Sequence, residues 1–144
     1  MNSLINSFKK INHTNLKNYS KLLYNYKSQD YIKYVKEDRL KYNRTIVHKD
    51  NNFEIYVLTW LPFQKSGIHN HAENGCLMKV LEGNIIERKY NKDLHPISQD
   101  YLLKGDVSYI DDTMYYHSLT NNSMKTCVTL HVYSPPDHNT NFFL

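Results

Sequence analysis

Apolar positions along the chain follow two rhythms, and the change between them falls near Tyr42. Before it, Leu4, Ile5, Phe8 and Ile11 recur at helical spacing. Leu16, Tyr19, Leu22 and Leu23 repeat that spacing behind a cap at Thr14 or Asn15. Ser28 reads as the N-cap of a third helix, with Asp30 favourably placed against the positive end of the helix dipole. The apolar side of that helix is Tyr31, Ile32 and Val35, so residues 3–36 are expected to form a helical layer packed on a sheet.

From Tyr42 onward the rhythm is that of strands. Residues 44–48 and 53–61 are rich in β-branched and aromatic side chains, with Asp50-Asn51-Asn52 as the turn between them. CLMKVLE (76–82) and NIIERKY (84–90) meet at Gly83, which reads as a hairpin. A polar loop from Asn91 to Asp100 contains Pro96, and strands follow at 101–110, 114–120 and 126–133 before Pro135-Pro136 ends the last. Short strands in series with no helix between them predict a sandwich or barrel. One domain is expected over 1–144: a helical layer to residue 41, a β-barrel over 42–136 and a short tail over 137–144.

Composition narrows the function classes. A chain of 144 residues can bury roughly 70% of the surface its unfolded form exposes. With 40% hydrophobic and 22% charged residues it reads as a globular domain, not a disordered one. The net charge of +4 is spread over scattered lysines with no basic stripe interleaved with aromatics, so no nucleic-acid partner is expected. Thirteen tyrosines read as a compositional bias. No apolar run approaches the ~20 residues of a membrane span, and MNSLINSFKK lacks the apolar run of a signal peptide. Cys76 and Cys127 form no disulfide framework, although one bridge is formally possible, and the expected compartment is the cytoplasm.

The chemistry gathers around histidine. His69 and His71 stand one residue apart in a strand-like segment, where side chains at i and i+2 share a face. Two imidazoles on one face can share a metal ion; His117 offers a third ligand from a later strand and His131 a fourth from the last. The bland alternative is a set of hydrogen-bonded core histidines. The frame around the pair decides between them. His-x-His, four residues, Cys76, six residues and Gly83 resembles the first motif of the cupin superfamily, with cysteine where most cupins carry a glutamate ligand and Phe63 where they carry an upstream glycine. Gly105, eleven residues, His117, three residues and Asn121 resembles the second motif, one residue longer than usual and without its proline and second glycine. Three imidazoles without a carboxylate depart from the two-His-one-carboxylate pattern of many iron oxygenases, and a three-histidine zinc site competes on ligand type.

The last strand sharpens the resemblance. Thr129-Leu130-His131-Val132-Tyr133-Ser134-Pro135-Pro136, with Trp60 separated by eight residues from His69, Cys76 and Gly83-Asn84, resembles the cysteine dioxygenases, the thiol dioxygenase branch of the cupins, over residues 42–136. The resemblance implies a mainly β fold, a small jelly-roll-like cupin barrel with an N-terminal helical layer. It implies ferrous iron (Fe2+) on His69, His71 and His117, with L-cysteine and O2 as substrates and cysteine sulfinic acid as product. Arg44 falls on the residue that grips the substrate carboxylate, Tyr42 on a tyrosine beside it and Tyr133 on the active-site tyrosine. His131 and Thr129 fall on the pair that supports Tyr133, and Cys76 on the partner of its thioether cross-link. A monomer is implied as well. Two rivals stand: a dioxygenase for another small thiol such as 3-mercaptopropionate, and a cupin that binds a metal or ligand without turnover. The residues alone allow Arg44 as a surface arginine, Tyr133 as an ordinary strand tyrosine and Cys76 as an inert buried thiol. Cys127, His13, His48, His95 and His138 receive no role. The helical part is shorter than in the animal enzymes, and the tail DHNTNFFL lacks the cysteine-containing segment that usually lines the pocket.

Overall fold

The computed structural model describes residues 1–143. Its first layer holds helix α1 (Asn2–Lys9), a 3-10 segment (His13–Tyr19), helix α2 (Ser20–Tyr24) and a second 3-10 segment (Asp30–Tyr34). The second helix begins earlier than its sequence suggests. Asn12 caps it, its side-chain oxygen accepting from Thr14 N at 3.1 Å, so neither Thr14 nor Asn15 is the cap. The third is a 3-10 turn capped at Gln29, where Ser28 Oγ accepts from Asp30 N at 3.2 Å; Ile32 points outward.

Eight strands follow: β1 (Asn43–Lys49), β2 (Glu54–Trp60), β3 (Cys76–Glu82), β4 (Asn84–Tyr90), β5 (Pro96–Leu103), β6 (Val107–Ile110), β7 (Tyr116–Thr120) and β8 (Cys127–Tyr133). They form a five-stranded antiparallel sheet in the order β1-β2-β8-β3-β6 and a three-stranded one in the order β5-β4-β7. Two facing sheets, not one continuously laddered barrel, make up the β layer.

Three local expectations change. β3 and β4 are not a hairpin: they belong to different sheets, and Gly83 is the corner between them. Its φ of +74° suits glycine, and a Cβ there would sit 2.8 Å from the Thr126 carbonyl oxygen. The expected strand 101–110 is broken at Lys104-Gly105-Asp106, where Leu103 N donates to Asp106 Oδ2 at 2.8 Å and the chain again changes sheets. The expected loop 91–100 yields its second half to β5, which starts at Pro96. Proline lacks an N–H and is tolerated at the start of an edge strand.

The central strands β2, β3 and β8 are buried on both faces, which explains their nearly unbroken apolar sequences. Their outer face packs under the helical layer, where Leu4, Phe8, Leu16 and Leu23 meet Phe53, Ile55, Leu77 and Leu130. Each such side chain contributes about 1.5–3 kcal/mol on full burial. The inner face, with Leu58, Trp60, Met78 and Val80, meets Ile85 and Leu119 of the small sheet.

One polar tie crosses the outer interface. Lys79 of β3 is buried, and its ammonium donates to the carbonyls of Tyr24 at 2.8 Å and Tyr26 at 2.6 Å, closing the end of α2. Tyr31 Oη adds a hydrogen bond to Glu82 Oε1 at 2.6 Å. Replacing Lys79 by Met leaves both carbonyls without that donor, so Lys79→Met is expected to lower unfolding stability by about 2 kcal/mol. Urea titration followed by Trp60 fluorescence reads this out; an unchanged midpoint would remove Lys79 as the tie.

Candidate metal centre

The histidine cleft is built across the seam between the sheets. His69 and His71 lie in the connection from β2 to β3 and not within a strand, as their spacing had suggested. That connection touches the small sheet through isolated rungs, one of which joins His69 to His117 of β7. His69 N donates to His117 O at 3.0 Å and His117 N to His69 O at 3.2 Å, so the two side chains are set opposite each other. His71 is held by its own backbone N–H, which donates to Asp112 Oδ1 at 3.1 Å. Ring centroids are 4.6 Å apart for His69–His117, 4.4 Å for His71–His117 and 5.6 Å for His69–His71. One nitrogen from each ring lies within 4.8 Å of the other two.

Hydrogen bonding assigns the tautomers. His69 Nδ1 lies 2.8 Å from the Gly67 carbonyl oxygen, which only accepts, so Nδ1 carries the proton. His117 Nδ1 lies 2.8 Å from Glu87 Oε2 and donates likewise. Both Nε2 atoms are left with lone pairs, and these atoms are 3.0 Å apart. Two lone pairs that close repel unless a cation lies between them. His71 adds two buried ring nitrogens with no hydrogen-bond partner among the described residues. An unpaired buried polar group costs about 1–3 kcal/mol. All three imidazoles are biased to the neutral form: burial lowers the pKa of His69 and His117, and burial with the neighbouring His117 and His69 takes His71 to about 2. Neutral, convergent and otherwise unsatisfied, this donor set fits a divalent metal ion.

Glu87 was not singled out from the sequence. It is almost fully buried and also accepts from Ser108 Oγ at 2.6 Å. Burial raises its pKa, while the Ser108 hydrogen bond opposes the rise. A carboxylate behind a ligating histidine fixes the ring and strengthens it as a ligand. The available signal was parity: Glu87 shares its strand face with Ile85, a core position.

The cleft wall comes from alternate residues of β8. Trp60 Nε1 donates to Thr129 Oγ1 at 3.0 Å, and the hydroxyl then faces His131 Nε2 at 2.7 Å. His131 Nδ1 in turn meets Tyr133 Oη at 3.1 Å, so the imidazole bridges the two hydroxyls. His131 is engaged at both nitrogens and lies outside the metal cluster, so it is not a fourth ligand. Trp60, 69 residues before Thr129, is the start of this relay that sequence spacing did not reveal.

Cys76 stands directly opposite Tyr133 in the β3–β8 register, its Sγ 3.8 Å from His131 Nδ1. Burial keeps the thiol protonated, and burial together with Cys76 raises the Tyr133 pKa. Arg44 reaches in from edge strand β1, its guanidinium 4.4 Å above the Tyr56 ring and 5.7 Å from that of Tyr133. Among the described residues no carboxylate lies within ion-pairing distance of it. Tyr42 stacks on Trp60 with centroids 4.3 Å apart. Arg44, Tyr42, Tyr133 and the three histidines all line one cleft, together with His138, to which the sequence assigned no role.

Comparison with known proteins places this geometry. The protein is 32% identical over 133 residues to cysteine dioxygenase type 1 of Danio rerio, covering 85% of this chain and 66% of that one. The chain spans 56–66% of the length of the curated relatives it matches. Among solved structures it resembles a Klebsiella pneumoniae protein with a double-stranded beta-helix domain (TM-score 0.68, 18% identity, 82% of this chain and 99% of that one). A cupin superfamily protein of Desulfitobacterium hafniense is also similar (TM-score 0.58, 9% identity, 69% and 83%). Two facing sheets behind a short helical layer are therefore a cupin fold. The family description Cysteine dioxygenase type I matches residues 1–143, nearly the whole chain, and the protein belongs to that family.

Proposed function

We propose that the protein is an iron(II)-dependent thiol dioxygenase that converts L-cysteine and O2 to cysteine sulfinic acid. The observation that carries this reading is a neutral three-histidine cluster sharing one small cleft with a guanidinium that, among the described residues, has no carboxylate within ion-pairing distance, Glu54 lining the same cleft farther off. Family membership supports the reaction class. A monomer in the cytoplasm belongs to the same reading; no helix among the described residues is long and apolar enough to cross a membrane.

His69, His71 and His117 would hold ferrous iron, which when bound supplies thiol activation and the redox chemistry of dioxygen. The remaining work falls to the protein. Arg44 grips the substrate carboxylate through two parallel hydrogen bonds, and the aromatic faces of Tyr56 and Tyr133 keep its guanidinium aimed into the cleft. Tyr42, stacked on Trp60, walls the side next to Arg44. With the proton on His131 Nδ1, the Trp60–Thr129–His131 relay donates to the Tyr133 oxygen and leaves the tyrosine's own proton for the bound substrate. Glu87 holds His117 in the tautomer that presents Nε2. A Cys76–Tyr133 thioether is part of the proposal. Joining Sγ to a ring carbon removes the thiol and ring hydrogens, two protons and two electrons, which reduce O2 to hydrogen peroxide.

Reconstitution with ferrous iron followed by L-cysteine in air is expected to consume one O2 per sulfinate formed. A folded, iron-loaded protein that makes no sulfinate would overturn the enzymatic reading, and a preference for 3-mercaptopropionate would overturn the choice of substrate. Arg44→Lys keeps the charge but loses the paired geometry. Its kcat/KM for L-cysteine is expected to fall about 10- to 100-fold, the equivalent of about 1.5–3 kcal/mol, with little change for cysteamine, which has no carboxylate. Glu87→Gln is expected to weaken iron binding about 10- to 100-fold in a chelator competition, while the circular dichroism spectrum stays that of the parent. Unchanged iron affinity would show that Glu87 does not tune His117.

A further inference from the structure

The segment after Pro136 doubles back across the cleft. Phe143 N donates to Ile68 O at 2.7 Å, Asn70 N donates to Asn141 O at 3.3 Å, and Phe142 forms a rung with His69. The Phe143 ring packs on Tyr116 with centroids 4.4 Å apart. At the near end, Asp137 pairs with Lys49 and turns its charge away from the site. Between these anchors the segment alternates. His138, Thr140 and Phe142 line the cleft, while Asn139 and Asn141 are exposed.

Asn70 holds the middle. Its side-chain oxygen accepts from Asn141 N at 2.8 Å and faces His138 Nε2 at 3.1 Å. Asn70 is also the residue between His69 and His71, so one short piece of backbone carries two histidines of the cluster and the clamp on this segment. Phe142 comes within 5.6 Å of the His69 ring, centroid to centroid, although 59% of its surface is exposed. A side chain that is exposed yet leans over the cleft sits at its mouth. Gly67 makes room for it: a Cβ there would lie 3.1 Å from Phe142 Cδ1.

We propose that residues 137–143 form a strap that sets which thiol fits the cleft, with His138, Thr140 and Phe142 determining specificity and Asn70 acting as the positioning residue. The inference rests on the thiol dioxygenase reading. The strap presents one aromatic ring, one hydroxyl and one imidazole, and no carboxylate. It therefore favours a small anionic thiol over a bulkier one by shape, while Arg44 retains the carboxylate.

Iron-loaded protein is tested with L-cysteine and with L-penicillamine, which carries two extra methyl groups beside the sulfur. Equilibrium binding is measured under argon and kcat/KM in air. Phe142→Ala is expected to shift the preference at least tenfold toward L-penicillamine in both measurements, the scale on which a pocket discriminates one or two methyl groups. Asn70→Ala is expected to shift it the same way and to raise KM for L-cysteine several-fold with a smaller effect on kcat. It should also open a protease cleavage site within residues 137–143, seen by mass spectrometry. Asn70→Asp keeps the acceptor oxygen and is expected to restore the parent's protection and preference. A preference within twofold of the parent in Phe142→Ala, an exposed position that leaves folding intact, would overturn the proposal. So would a parent that binds neither thiol. A parent that binds L-cysteine under argon without oxidising it, with the preference still shifted in Phe142→Ala, would preserve the strap and remove the dioxygenase activity.

Discussion

Two imidazole nitrogens 3.0 Å apart, each with its lone pair aimed at the other, are the constraint around which this protein is arranged. Neither ring can escape by exchanging tautomers. The Gly67 carbonyl holds one proton on His69 Nδ1, and the Glu87 carboxylate holds the other on His117 Nδ1. Nor can either ring readily take a second proton, because both are buried and burial disfavours the charged form. What relieves the arrangement is a cation shared between them and His71. In that sense the fold carries a cost at the site, and metal binding offsets it.

The position of the cluster explains the division of the chain. β7 belongs to the small sheet, the His69–His71 segment is stitched to it by a single rung, and the tyrosine relay stands on β8 of the large sheet. A metal ion here would tie both sheets and the connection between them. The helical layer lies on the opposite face of the large sheet and, among the described residues, supplies none to the cleft. Its contribution is to cover apolar strands that are buried on both faces, with Lys79 and Tyr31 fixing it there. Chemistry and stability are thus assigned to opposite faces of β2, β3 and β8.

Much of this was legible because it is local. The strands β2, β3 and β8 announce themselves by nearly continuous apolar runs, and the three histidines by spacing. Thr129, His131 and Tyr133 share a face by the period of two. What escaped depends on contacts between distant residues. Gly83 reads as a hairpin turn in sequence, but the two strands it joins part into different sheets, and the Thr126 backbone packs against the glycine at that corner. Pro96 suggested a loop, yet an edge strand tolerates it at its first position. Glu87 is one of several charged residues of β4, and only the fold brings Ser108 and His117 to either side of it. His138 sits in a tail without apolar periodicity, and reaches the cleft only because Asn70 and Asn141 bind their backbones together. The three histidines of the cluster could be read from motif spacing; the atoms that orient them could not.

The central claim is that three neutral imidazoles hold the metal and leave open the position that a substrate thiolate takes. X-ray absorption at the iron edge of the loaded protein under argon, before and after L-cysteine, tests it most directly. The account predicts a shell of nitrogen and oxygen scatterers with three imidazole contributions, to which L-cysteine adds one sulfur scatterer. Fewer than three imidazoles, or a shell with no sulfur at saturating L-cysteine, would contradict it.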